Sequence, residues 1–138
     1  MSWEQLQKLD PQKTIEHVLP QHPNNKYWKD RFDAAQRRKL ANHIGNLTLT
    51  FDNSVYSNKA YPEKRGDLKA ANPCYATSNL FGERQIAKEF EDWNEDAILN
   101  RGKHLRKWAL ERWRIDSVGL AAVSTDELLQ DEEQPEME

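Results

Sequence analysis

The 138-residue sequence contains one cysteine, Cys74. A single thiol excludes an internal disulfide framework and any zinc cluster built from several cysteines. No apolar run approaches the roughly 18–20 residues that a membrane span needs, so no membrane partner is expected. The opening Met1-Ser2-Trp3-Glu4-Gln5 has no basic segment followed by an apolar stretch. It therefore carries no sign of a secretory leader, and the expectation is a cytoplasmic protein. There is no internal repeat and no Gly-x4-Gly-Lys-Ser/Thr phosphate loop. The length suits one domain with a modest core and is short for two.

The sequence does have large rings and charge. Five Trp, four Tyr and four Phe supply groups to bury, although mean hydropathy is -1.00 and 31% of the residues are charged. That combination argues against a disordered chain. Twenty Lys and Arg against 23 Asp and Glu give a net charge of -3. At face value this speaks against a nucleic-acid partner. The distribution reverses that reading, because eight acidic residues and no Lys or Arg lie from Asp116 onward. Residues 1–115 therefore carry a net charge of +5. We divide the chain into a lead-in (1–13), a folded body (14–115) and an acidic tail (116–138) expected to be disordered.

Along the chain, Trp3 to Leu9 reads as a short helix stopped by Pro11. Thr14-Ile15-Glu16-His17-Val18-Leu19 is a β-prone run closed by Pro20. After a loop over residues 21–25, Trp28, Phe32, Ala35, Leu40 and Ile44 recur at helical spacing and predict one helix from Tyr27 to His43, ended by Gly45. Asn46 to Phe51 alternates polar and apolar residues and reads as a second strand. Ser57 is a candidate N-cap for a helix that begins near Asn58, carries Lys59, Lys64 and Arg65, and ends by Gly66. Ile86, Phe90, Trp93 and Ala97 predict a helix over 83–99. A last helix after Gly102 presents Leu105, Trp108, Ala109 and Trp113, and helical spacing assigns Trp93, Trp108 and Trp113 to the core.

The elements from 14 to 65 form a strand, loop, strand, helix series, with His17 near the end of the first strand and Asn58 at the start of the helix. Such a unit can bring a base and a metal ligand into one cleft. A neutral imidazole takes a proton from water near neutral pH. Carboxylate and amide oxygens are hard donors that suit magnesium or manganese.

Three blocks carry a specific resemblance: Ile15-Glu16-His17-Val18-Leu19-Pro20-Gln21, Ile44-Gly45-Asn46-Leu47-Thr48-Leu49, and Ser57-Asn58-Lys59-Ala60-Tyr61 with Lys64 beyond it. With Trp93, Ile98, Arg101, Leu105, Ala109 and Trp113 at the spacing Trp-x4-Ile-x2-Arg-x3-Leu-x3-Ala-x3-Trp, they resemble the nuclease domain of GmrSD-type restriction endonucleases, of the HNH (His-Me finger) superfamily. The resemblance covers about residues 12–115. It implies an α+β, mostly helical fold with a ββα-metal core, and a metal-dependent DNA endonuclease acting against foreign or modified DNA. His17 falls at the general base. Asn46 falls at the residue that orients the base or braces its loop. Asn58 falls at the metal-holding residue, with Asn53 as its rival and Glu16 at a position often taken by an Asp ligand. The implied cofactor is Mg2+ or Mn2+. Lys59 and Lys64 would support the scissile phosphate electrostatically, and Arg65, Arg101 and His43 are candidate DNA contacts. A separate NTPase or specificity subunit is an implied partner.

The residues also admit plainer roles. Glu16 and His17 are neighbours on a strand and point to opposite faces unless the strand ends or bulges there. Asn46 can cap a turn, and His43 can sit at a helix C-terminus against the dipole. A non-catalytic DNA- or protein-binding module on the same fold and a toxin-like RNase are the competing functions. The oligomeric state is not legible.

Overall fold

The two β-prone runs pair. Ile15–His17 forms β1 and Leu47–Leu49 forms β2, antiparallel, with Ile15 opposite Leu49, Glu16 opposite Thr48 and His17 opposite Leu47. One further bond at each end extends the ladder: Thr50 N donates to Thr14 O at 2.9 Å, and Val18 N donates to Asn46 O at 3.0 Å. The structure, a computed structural model, describes residues 12–113 together with Glu4, Lys8 and Asp10. The helix expected over Trp3–Leu9, most of the lead-in, and the acidic tail lie outside the described residues.

The helices are α1 (Lys26–Arg31), α2 (Ala34–Leu40), α3 (Tyr61–Arg65), α4 (Phe81–Glu89) and α5 (Glu95–Arg112). Short 3₁₀ turns occupy Ile44–Asn46, Asn53–Val55 and Tyr75–Thr77. The architecture is thus α+β, mostly helical, around a small two-stranded sheet. Among the described residues no helix is long and apolar enough to cross a membrane.

Several boundaries differ from the sequence expectation. The single helix over 27–43 is two helices, because Phe32 turns extended and Asp33 starts again. The Asp33 carboxylate accepts from Gln36 N, and the Gln36 side chain accepts from Asp33 N. This reciprocal capping satisfies two donors that a new helix start leaves open. It also lets Phe32 turn into the core, where it is 1% exposed. Similarly, the helix expected over 83–99 breaks after Glu89, and Trp93 lies in the loop before α5. Asn94 caps α5 by accepting from Ala97 N at 2.9 Å, with Glu95 and Asp96 favourably placed in the first turn.

Helix α5 then runs straight through Gly102, where a helix start was expected. The reason is a close approach. A Cβ at Gly102 would stand 2.5 Å from His43 Cε1, and one at Gly45 would stand 1.9 Å from the Ile98 carbonyl oxygen. The two missing Cβ atoms let the Ile44–Asn46 turn lie against α5 and so set the start of β2. The core gathers Val18, Leu19, Trp28, Phe32, Leu40, Tyr61, Tyr75, Ile86, Trp93 and Ile98. Tyr61 stacks on Trp93 with ring centroids 5.5 Å apart. Trp93 is core as expected, whereas Trp108 and Trp113 are not. They stand exposed near the end of α5, edge to face at 5.2 Å.

Candidate functional site

His17 closes β1. Strand alternation turns Glu16 inward and leaves His17 half-buried at the surface. The chain behind it, Val18-Leu19-Pro20, is buried, so the imidazole stands on a rigid base. It borders an open cleft of about 240 Å³ with Glu16, His22, Asn53, Ser57 and Asn58. One ring nitrogen is engaged, with Nε2 lying 3.0 Å from Asn42 Oδ1, an oxygen that also accepts from Gln21 Nε2 at 3.0 Å.

The two amides across the cleft sit on loops. Asn53 Nδ2 donates to Gln12 O at 2.8 Å and to Ile15 O at 3.0 Å, tying the Asn53–Val55 turn to β1. Asn58 Oδ1 accepts a long bond, 3.4 Å, from Asn24 N. The helix expected from Asn58 begins only at Tyr61, with Pro62 in its first turn where its missing N–H costs nothing. Asn58 and Lys59 therefore lie on the preceding loop. Ser57 there has φ 43°, the only positive φ outside glycine among the described residues. Holding a non-glycine residue in that region costs on the order of 1 kcal/mol and occurs where a site demands a sharp turn. Lys59 is anchored through its main chain, whose oxygen accepts from Trp28 Nε1 at 3.0 Å.

Lys64 corrects the expectation of a DNA contact, and its partner is Glu16, the acidic ligand candidate. Both side chains are buried, with Lys64 Nζ donating to Glu16 Oε1 at 2.7 Å. The other two ammonium protons go to the main-chain oxygens of His17, at 3.0 Å, and Val18, at 3.1 Å. Tyr75 Oη donates to the same Glu16 oxygen at 2.8 Å. Burial pushes the Glu16 carboxyl up and the Lys64 ammonium down, and their mutual attraction opposes both shifts. With every ammonium donor used, Lys64 functions as a charged internal clamp on the strand that carries His17.

Asn46 is also internal, and fully satisfied. Its Oδ1 accepts from Leu19 N at 2.7 Å and Trp93 Nε1 at 3.1 Å, and its Nδ2 donates to Leu19 O and Ala41 O, both at 2.9 Å. It braces the segment behind His17 and does not reach the cleft. Arg101, a candidate DNA contact, donates instead to Gly45 O at 2.8 Å and Leu47 O at 2.7 Å, joining α5 to β2. Arg65 Nε donates to Ala87 O at 3.0 Å. His43 caps the Ile44–Asn46 turn, its Nδ1 accepting from Gly45 N at 3.0 Å. Burial, then the nearby Arg106 and Lys39 charges, hold its imidazole below the usual histidine range.

As the residues stand, the cleft offers a divalent ion one acidic group, Glu16, already paired with Lys64. Magnesium is ordinarily held by one or two carboxylates. Glu16 borders the cleft but gives its Oε1 to Lys64 and Tyr75, and the other oxygen donors there, those of Asn53, Ser57 and Asn58, are neutral. No group of three or more His, Cys, Asp or Glu that could hold a metal occurs among the described residues. Sequence reasoning also missed Asn42, Gln21 and His22. Gln21 lies in the first motif block, but Asn42 follows α2 and reaches His17 only through the tertiary fold.

A half-buried histidine at a strand end, on an open cleft in a small α+β domain, defines a site suited to proton transfer from water. The model of the family described as GmrSD restriction endonucleases, C-terminal domain, matches residues 2–108. The chain belongs to that restriction endonuclease family. No curated protein and no solved structure matches it.

Proposed function

We propose that the chain is a nuclease domain that hydrolyses DNA phosphodiesters in defence against foreign or modified DNA, with His17 as general base. The observation that carries this reading is the placement of His17: held at the end of a braced strand, open to the cleft, with one ring nitrogen engaged by Asn42 and the other turned to no partner among the described contacts. The imidazole removes a proton from water, the resulting hydroxide forms the new O–P bond, and the P–O3′ bond breaks with the 3′-oxygen taking a proton from solvent. Family membership supports DNA as substrate and defence as context. Asn58 and Asn53 border the space where the phosphate would sit, and Lys59 adds charge beside Asn58. Lys64 is committed inward, Arg65 and Arg101 each give part of the guanidinium to main-chain oxygens, and α2 adds further basic groups. A second cavity of about 390 Å³ shares Gln21 and His22 with the cleft and is bordered by Arg37 and Arg38.

A divalent cofactor and a separate NTPase or specificity subunit belong to this proposal through the resemblance alone. A second reading, a non-catalytic DNA-binding module, is favoured by one observation: the carboxylate beside His17 is locked onto Lys64. Supercoiled-plasmid nicking by wild type and His17→Ala, with magnesium or manganese, separates the two. Loss of nicking in the variant supports catalysis. Binding without cutting by either protein supports the module, and cutting of RNA alone would make the domain an RNase.

A further inference from the structure

We infer that Asn42 is a positioning residue that sets the tautomer of His17 and directs its basic nitrogen at the cleft, an inference that rests on the reading of His17 as the base. A neutral imidazole has one N–H and one lone pair, and the partner of one nitrogen decides which is which. Asn42 Oδ1 can only accept. The same oxygen receives Gln21 Nε2 at 3.0 Å, so it collects donors from both sides. His17 Nε2, 3.0 Å away, is therefore the N–H, and the lone pair falls on Nδ1. When Nδ1 takes the proton, the Nε2–H bond to Asn42 becomes charge-assisted and strengthens. A neutral amide gives this orientation without charging the imidazole at rest, as a carboxylate would. The charged and titratable groups around the ring are few. Lys64 holds the His17 carbonyl and is paired with Glu16, whose carboxylate also borders the cleft. His22 borders the cleft, and Arg37 and Arg38 of α2 border the adjoining cavity with Asn42. Asn42 is exposed, so replacing it leaves the core intact.

The test has two readouts. The first needs no activity: ¹⁵N shifts of the His17 ring should report the Nε2–H tautomer in wild type and a mixture in Asn42→Leu. A wild-type Nδ1–H pattern, or an unchanged pattern in Asn42→Leu, overturns the inference. The second is the pH profile of DNA nicking. Asn42→Leu should lower kcat about 10-fold at every pH with KM unchanged. Asn42→Asp, which also accepts from Nε2–H but adds a charge, should move the acid limb of kcat/KM up by about one pH unit and recover near wild-type rates above it. Equal kcat and equal acid limbs in all three proteins overturn the inference. His17→Ala is measured alongside. If it nicks like wild type, the reading of His17 itself falls, an outcome distinct from failure of the Asn42 variants.

Discussion

Replacing Lys64 with Met removes the clamp behind His17 and keeps most of its volume. The ammonium now satisfies three acceptors, Glu16 Oε1 and the carbonyls of His17 and Val18. In Lys64→Met the Glu16 carboxylate, 2% exposed, keeps only the Tyr75 hydroxyl. Breaking a buried pair by removing one partner costs about 3–5 kcal/mol, because the remaining charge is uncompensated. That is a large part of the roughly 5–15 kcal/mol by which domains are stable. Glu16→Gln reverses the imbalance and leaves the ammonium without its counter-charge. The double variant carries neither charge, and its remaining cost is two carbonyls without their donor, about 1–3 kcal/mol each at most. Urea unfolding followed by tryptophan fluorescence reads all four proteins, since Trp28 and Trp93 are fully buried. The double variant should be more stable than Lys64→Met alone, and its loss should fall short of the summed single losses by at least about 2 kcal/mol. Losses that add within about 0.5 kcal/mol would refute the pair as an energetic unit.

Other outcomes follow from neighbouring contacts. Asn46→Ala strands four buried partners and should cost about 3 kcal/mol or more in urea unfolding. Gly45→Ala drives a methyl against the Ile98 carbonyl and should cost about 3 kcal/mol by the same assay. His43 is held below its unfolded value, so its contribution is fully present above pH about 6.5 and is lost as pH falls through the lowered native value. His43→Asn keeps an acceptor for Gly45 N and should flatten the part of the stability curve below about pH 6.5 that this histidine supplies. Arg38→Ala, in a His17→Ala background that binds without cutting, should weaken DNA binding and reduce the slope of log K against log salt by about one.

The strand pair was legible because Thr14 to Leu19 and Asn46 to Phe51 are short β-prone runs, and period-two alternation correctly sent Glu16 and His17 to opposite faces. An inward Glu16 needs a cation or donors, but alternation alone did not say which of the two residues faces inward. It could not say that Lys64, 48 residues on, supplies the cation, since that pairing is made by tertiary packing. The break at Asp33 had a local signal, Asp33-x-x-Gln36, but the apolar stripe running through it argued for continuity. The path of α5 through Gly102 had no local signal at all, because the glycine answers the approach of His43 and does not end a helix. Lys64, Arg65 and Arg101 looked like surface cations for the same reason. Their partners are carbonyls and one carboxylate brought from distant segments.

The most direct test of the account is single-turnover cleavage of plasmid DNA by wild type and by His17→Ala, both shown to unfold at the same urea midpoint. The account predicts nicking by wild type and a rate at least 10²-fold lower in the variant, the scale of a lost general base. Equal rates in the two folded proteins would contradict it.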